Sequence, residues 1–384
     1  RVGSGFTPMN ETRTREYYES SFVQMPIQKA ASSPPPITTS ARSSDYKAIW
    51  SMIIPDPPLP ITRSAQCSIY DPFTDQIYIA YGIDKKRRYL KDCWALNLST
   101  LKWKLINPSL LSPRMYATSI LITTENSREM FIFGGYDGLN YFSDLHSINL
   151  DTGQVTLYDS KSVSPRMNAC LFSSSESIII YSGFNGQTLD TLDEFNFLTQ
   201  KWERQTRIDG IRGRSAAVCT DSFDGSHWFI FGDTVGHPLV SVDTDNQSFK
   251  ELFCAGFGPP AGLKHALFCR ADRYLFVCGG LKDSPYTYAY GLDIERQFWF
   301  VLSVEPDQET VCIVDGCVKN GMFQLPRQHS GAMAYSPHQR SIISVMGSGF
   351  VDPAPVHILR IGDALTIIHL MGDMLNMLDM CANM

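Results

Sequence analysis

What this sequence lacks narrows it early. It contains no Gly-x-Gly-x-x-Gly, no P-loop pattern and no Gly-x-Ser-x-Gly. Those absences remove the common glycine cradles for phosphates and the strained turn that presents a nucleophilic serine. No apolar run reaches the roughly 20 residues a membrane-spanning helix needs, and nothing near Arg1 resembles the apolar core of a signal peptide. Neither charge sign dominates: 19% of the 384 residues are charged and the net charge is −6, too mild to point to nucleic acid or a membrane surface. The ten cysteines include no Cys-x-x-Cys pair. Cys170, Cys219, Cys269 and Cys278 sit inside apolar runs, as buried thiols of a reducing compartment do. Only Cys312 and Cys317 stand close together; a bridge or a zinc site there is the lesser alternative, with no His or Cys spaced to complete the latter. The eight histidines, at 146, 227, 237, 265, 329, 338, 357 and 369, show no i, i+4 pairing. No catalytic or metal-ligating constellation emerges, and no cofactor is expected.

What is present is a repeat. Its clearest copy runs Ser112-Pro113-Arg114-Met115, then the apolar run Met130 to Phe133 closed by Gly134-Gly135-Tyr136, then Leu145 to Leu150 and Val155 to Tyr158. The phrase restarts at Ser164-Pro165-Arg166-Met167. Basic residues open each unit at Arg63, Arg114, Arg166, Arg214, Lys264 and Arg327, at intervals of about 50 residues that widen to about 63 before the last. The second run of each unit ends in a small pair or its remnant: Tyr81-Gly82, Gly134-Gly135, Ser182-Gly183, Gly232-Asp233, Gly279-Gly280 and Met346-Gly347. These runs are β-branched and aromatic, and too short for a helical period, so they read as buried strands. The glycines let the chain leave the strand at positive φ and pass close to a neighbour. The third run alternates, as in Cys93 to Leu98 and Leu192 to Phe197, which predicts one buried and one less buried face. The fourth carries an aromatic: Trp103, Trp202, Phe249 or Trp299. Four strands per unit make a propeller blade, and six units predict an all-β, six-bladed propeller.

The apolar run, Gly-Gly, downstream aromatic and Trp before the next Pro-Arg resemble the kelch-repeat β-propeller family over residues 46–370. Blades two and three match best. Blade four has Asp233 for the second Gly and Phe249 for Trp, and blade six keeps only Gly347. Residues 1–45, with the run Pro34-Pro35-Pro36, read as an extended or disordered tail. Tyr46 to Ile54 has the context of a detached fourth strand, expected beside the last blade, although Leu365 to Leu370 competes for that slot. Residues 371–384 read as a short Met-rich helix capped by Asp373, lying on the propeller or docking a partner.

Because successive strands run antiparallel, the loop after the second strand and the loop between blades emerge on one face. That face carries the chain's variation: Lys85-Lys86-Arg87-Arg88-Tyr89, the stretch Tyr136-Asp137 to Asn140-Tyr141, Phe184-Asn185, residues 233–238 and 281–286, and an insertion over 304–326. The six unit-opening basic residues admit two readings. One is a cationic collar at the channel mouth for an acidic peptide. The other, preferred because the residue belongs to the repeat itself, is a structural arginine bonding within its own blade. Lys85–Arg88 occurs in one blade only. It is either a solvated run or a contact for an acidic partner such as a tubulin-like surface; RNA phosphate is the weaker option because only Tyr89 accompanies it.

The reading expected is a non-catalytic protein interaction scaffold in the cytoplasm, docking partners on the loop face within a larger assembly, with a cytoskeletal or ciliary setting as one candidate. The resemblance offers two rivals. Substrate recognition for a ubiquitin ligase is one, although no BTB or F-box-like segment is visible. The other is a metal-dependent oxidase like the copper propeller galactose oxidase, for which nothing here marks the Tyr–Cys crosslink.

Overall fold

The computed structural model describes residues 47–160, 162–207, 211–221, 227–233, 239–244, 246, 248–281, 288–311, 317–319, 322–326, 328–348 and 352–362. The expected tail over 1–45, the competing strand over 365–370 and the helix over 371–384 lie outside the described residues.

Each repeat folds into one antiparallel sheet whose strands follow chain order from the channel outward. Blade one comprises Cys67–Asp71, Gln76–Ala80, Cys93–Asn97 and Lys102–Asn107. Blade two comprises Thr118–Thr123, Arg128–Phe133, Leu145–Asn149 and Val155–Tyr158, and blade three Cys170–Ser173, Ser177–Tyr181, Thr191–Asn196 and Lys201–Arg207. Blade four comprises Val218–Asp221, His227–Phe231, Leu239–Asp243 and Ser248–Glu251, and blade five Leu267–Ala271, Tyr274–Cys278, Ala289–Asp293 and Phe298–Val301. Blade six takes Ala332–Ser336, Ser341–Val345 and Val356–Arg360 from the end of the described chain and its fourth strand, Lys47–Ile53, from the beginning. Trp50 stands opposite Leu359 in that antiparallel pairing. The innermost strands touch in sequence around the ring, with Ala332–Ser336 meeting Cys67–Asp71 to close it. No helix occurs among the described residues.

There is no single core. Six apolar clusters fill the six seams between neighbouring blades, and the seam of blades six and one, with Ile79, Trp103, Ile343 and Val356, is built like the others. Both faces of every sheet are therefore covered, and this corrects the expected alternation of the third strands. Leu145–Asn149 and Ala289–Asp293 are buried almost throughout. Alternation appears one strand further out, where Lys102–Asn107 and Lys47–Ile53 both begin exposed, buried, exposed.

The small pairs sit where consecutive blades meet. Gly135 has φ 108°, and a Cβ there would come 3.0 Å from the Met115 carbonyl; one at Gly134 would come 2.3 Å from the Arg166 carbonyl of the next blade. That proximity is used. The amides of Gly82, Gly135, Gly183, Asp233, Gly280 and Gly347 donate to the carbonyls of Arg114, Arg166, Arg214, Leu263, Gln328 and Arg63, one link per seam around the ring.

Two features were not legible in the repeat. Ala255–Gly256 runs parallel along the outer edge of Phe298–Val301, and Ser303–Pro306 runs parallel along Lys47–Ile53. In each case the segment leaving one blade covers the backbone edge of the next, which would otherwise present unpaired N–H and C=O groups.

Candidate functional site

The unit-opening arginines are internal fasteners. Arg63, Arg114, Arg166 and Arg214 are at most 2% exposed. Arg63 donates to both carboxylate oxygens of Asp92, at 2.6 and 2.9 Å, and to the Tyr81 carbonyl. Arg114 donates to Asp144 and the Gly134 carbonyl, with its guanidinium 4.0 Å from the Phe142 ring centroid. Arg166 donates to Asp193 and the Ser182 carbonyl, and Arg214 to the Gly232 carbonyl. Each straps its innermost strand to the small pair of its own blade. Burial alone would raise the carboxyls of Asp92 and Asp144, but the bonds from Arg63 to Asp92, and from His146 and Arg114 to Asp144, outweigh it and hold both below the ordinary range. These four groups face no open mouth. The ring does not continue in blades five and six: the carbonyl links place Leu263 and Gln328 at the arginine register. Lys264 stands one position later and pairs with Asp233 at 3.3 Å. Arg327 lies outside the described residues.

The channel itself is closed by side chains that the repeat did not announce. Tyr116 of blade two and His265 of blade five, opposite in the ring, stack with centroids 4.9 Å apart. Burial, helped by the neighbouring His329, pushes the His265 imidazole down to about 3, so it is neutral. Around this plug a second backbone circuit runs: Asn168 N–H to Tyr116, Tyr116 to Ala65, Ala65 to Ser330, Ser330 to His265, and His265 to Ala216. Ala216 gives its own N–H to the Asp233 carboxylate, the residue that replaces the second Gly of blade four. The available signal was position: Tyr116 lies two residues beyond the unit arginine, where φ is 53°.

The loop face is different. Asp84 accepts the amides of Lys86 and Arg88 at 2.8 Å each and the Arg88 Nε at 2.7 Å. This ties residues 84–88 into a tight turn, with Arg87 at φ 62°. Burial would raise the Asp84 carboxyl, but those donors hold it low. All four side chains from Lys85 to Arg88 are exposed, and Lys85 and Lys86 have no ion-pair partner among the described residues. The hydroxyl of Tyr89, the next residue, lies against Gly138 of the following blade; a Cβ on Gly138 would lie 2.7 Å from it. From there a row of rings crosses blades two and three. Tyr136 and Tyr141 lie 4.7 Å apart, and Tyr141 meets the edge of Phe184 at 6.2 Å.

The row has a rigid base. Tyr136 exchanges two backbone hydrogen bonds of 2.9 Å with Met115, and Phe184 does the same with Met167, so both are pinned to the channel ring. Asp137 accepts the amides of Leu139 and Asn140, closing the blade-two turn and leaving Leu139 84% exposed. Asn185 donates its amide to the Gln187 carbonyl, shaping the blade-three turn. The structure therefore brings Lys85–Tyr89, Tyr136–Tyr141 and Phe184–Asn185 into one surface. The insertion behaves otherwise in part: its start is the edge strand Ser303–Pro306, and Phe323 packs 5.5 Å from Trp50.

The chemistry this can perform is recognition. Among the described residues no group of three or more His, Cys, Asp and Glu side chains is placed to hold a metal ion. The contact of Tyr81, His146 and Asp144 is fastened inside the seam of blades one and two, where His146 is fully buried.

Comparison with known proteins agrees with this geometry. The family model of the KLHDC2/KLHL20/DRC7 Kelch-repeats domain matches residues 44–233. The chain is 24% identical over 208 residues to the host cell factor homolog hcf-1 of Caenorhabditis elegans, covering 47% of this chain and 26% of that protein. It is 23% identical over 188 residues to the leucine-zipper-like transcriptional regulator 1 homolog of Drosophila melanogaster, covering 47% of this chain and 15% of that protein. It is 22% identical over 260 residues to the human Kelch domain-containing protein 1, covering 57% of this chain and 63% of that protein. The match thus spans less than two thirds of each relative.

Proposed function

The chain belongs to the kelch-repeat β-propeller family, and from that premise we propose that it is a non-catalytic scaffold docking partner proteins through the loop face of blades one to three, within a larger assembly. One observation carries the reading: the exposed cationic turn at Lys85–Arg88 is continuous with a half-exposed aromatic row built from the loops of the next two blades. Loops held by a rigid scaffold display binding groups without a large ordering cost. The isolated charge run favours an acidic partner surface, such as that of tubulin, over nucleic acid. Free cysteines inside the seams suit a reducing cytoplasmic setting, with the cytoskeleton or a cilium as the candidate site. Residues 1–45 would supply a second contact.

Photo-crosslinking from residues 85–88 in the assembled complex tests this. Crosslinks to a partner protein, with association weakened when Lys85–Arg88 are replaced by alanine, are the expected outcome. Unchanged association in that variant would remove the site, and enrichment of cullins among the crosslinked proteins would move the reading to a ubiquitin ligase.

A further inference from the structure

We propose that Cys170 and Cys219 form a reversible disulfide across the seam of blades three and four when the chain meets hydrogen peroxide. The proposal is independent of the docking reading: it concerns two thiols inside the ring, and no residue of the loop surface enters it.

Position in the repeat is the first argument. Counted from the unit arginine, Cys170 is the equivalent of Cys67, Thr118 and Val218, and Cys219 the equivalent of Ser68, Ser119 and Leu171. From the second of these positions a polar side chain reaches back to the innermost strand of the preceding blade. Ser119 Oγ donates to the Ser68 carbonyl of blade one at 3.0 Å, and Cys219 Sγ makes the same bond to the Leu171 carbonyl of blade three at 3.4 Å. That bond sets Cys219 beside Cys170, the residue before Leu171, and the two thiols hydrogen-bond to each other. Both pack in one apolar cluster, with Phe172, Tyr181 and Ile230. In the seam of blades one and two the same place pairs Cys67 with the Ser119 hydroxyl, which cannot form a bridge, and Cys93 is separated from Cys67 by the strand of Ala80. Cys269 and Cys278 share one sheet, but Cys269 stands opposite Phe276 and Cys278 opposite Leu267.

Chemistry is the second argument. Cys170 is 1% exposed, whereas Cys219 is half-buried, so the oxidant meets Cys219 first. Its sulfur takes an oxygen from the peroxide. The S–O bond forms as the O–O bond breaks, and the thiol proton leaves with the departing hydroxide as water. The Cys170 thiol then attacks the sulfenic sulfur of Cys219. The S–S bond forms, the S–O bond breaks, and a second water carries off the hydroxyl and the Cys170 proton. Two thiols and one hydrogen peroxide thus give one disulfide and two waters. Because the thiols already touch, closing the bond asks for side-chain rotation and not for movement of a strand. The bridge ties blade three to blade four, and exchange with a small thiol such as glutathione returns it to two free cysteines, as a transient disulfide of a reducing compartment requires.

The test treats the purified chain with hydrogen peroxide, blocks the remaining thiols with iodoacetamide and maps linked peptides by mass spectrometry without reductant. A Cys170–Cys219 linked peptide is the expected product. It should form before Cys67, whose thiol burial pushes up to about 12, is oxidised. The melting temperature should rise by several degrees, and dithiothreitol should reverse both changes. Two variants borrow residues that other blades carry at the same positions, and melting curves before oxidation show that each is folded. In Cys170→Val, oxidation should stop at a Cys219 sulfenic acid that dimedone captures; in Cys219→Ser, Cys170 should stay reduced. The mapping of the parent chain decides the outcome even where a variant fails to fold. Persistence of both thiols in millimolar peroxide, a bridge from either cysteine to another partner, or a linked protein that melts lower than the reduced one would each overturn the proposal.

Discussion

At the scale of single residues, the sequence offers two kinds of basic side chain and the structure gives them opposite roles. Arg166 and Asp193 are both buried and bonded at 2.7 Å. Removing one partner of such a pair leaves an uncompensated charge, so Arg166→Ala should cost about 3–5 kcal/mol in a denaturant titration. Arg114→Lys should also destabilise, because a point ammonium cannot serve the Asp144 carboxylate and the Gly134 carbonyl while stacking on Phe142. Lys85→Ala, by contrast, should stay within about 0.5 kcal/mol of the parent. The repeat separates the recurring arginines from the single Lys85–Arg88 run, and burial gives the physical reason for their opposite roles.

Histidines give the protein a pH signature at the same scale. Burial lowers His146, His265, His329 and His357, the last three to about 3, 4 and 4. Once the chain unfolds, each returns to the ordinary value near 6.5. The unfolded chain therefore binds protons first as pH drops, and the stability from these groups, complete above about 6.5, is lost from there down to about 4 for His329 and His357 and about 3 for His265. The lowered carboxyls of Asp92, Asp144 and Asp233 extend the loss below the ordinary carboxylate range. Melting temperature should fall steadily from pH 7 to pH 5, and His265→Gln should flatten part of that slope. A melting temperature flat across this range would contradict the burial described.

At the scale of elements, closure depends on one strand. Lys47–Ile53 lies between Val356–Arg360 and Ser303–Pro306, and Trp50 from it is 1% exposed. Trp50→Ala should cost about 3–5 kcal/mol, read by calorimetry. Deleting residues 47–53 should do more, since it bares a sheet edge and opens the seam of blades five and six; loss of a cooperative transition, or aggregation, is the expected result. The glycine pairs set a second limit. Gly135→Ala places a Cβ against the Met115 carbonyl at positive φ and should lower the melting temperature.

At the scale of the whole molecule, the ring has two unlike faces. Phe73, 85% exposed, sits on the turn after an innermost strand, opposite the face that carries Lys85–Arg88. Phe73→Ala should leave partner crosslinking unchanged while Tyr141→Ala reduces it. An effect of both would mean that the face assignment is wrong.

The sequence by itself determined the number of blades, the strands within them and the candidate loops, because a period near 50 residues and glycine-bounded apolar runs are local patterns. Only the tertiary structure decided the rest. It seated the N-terminal strand on blade six, placed Leu263 and Gln328 at the arginine register, plugged the channel with Tyr116 and His265, and joined Tyr89, Tyr141 and Phe184 into one surface. The physical reason is that each of these depends on groups distant in the chain meeting across a seam or across the channel. A repeat specifies what each blade contains, whereas ring closure specifies what each blade touches.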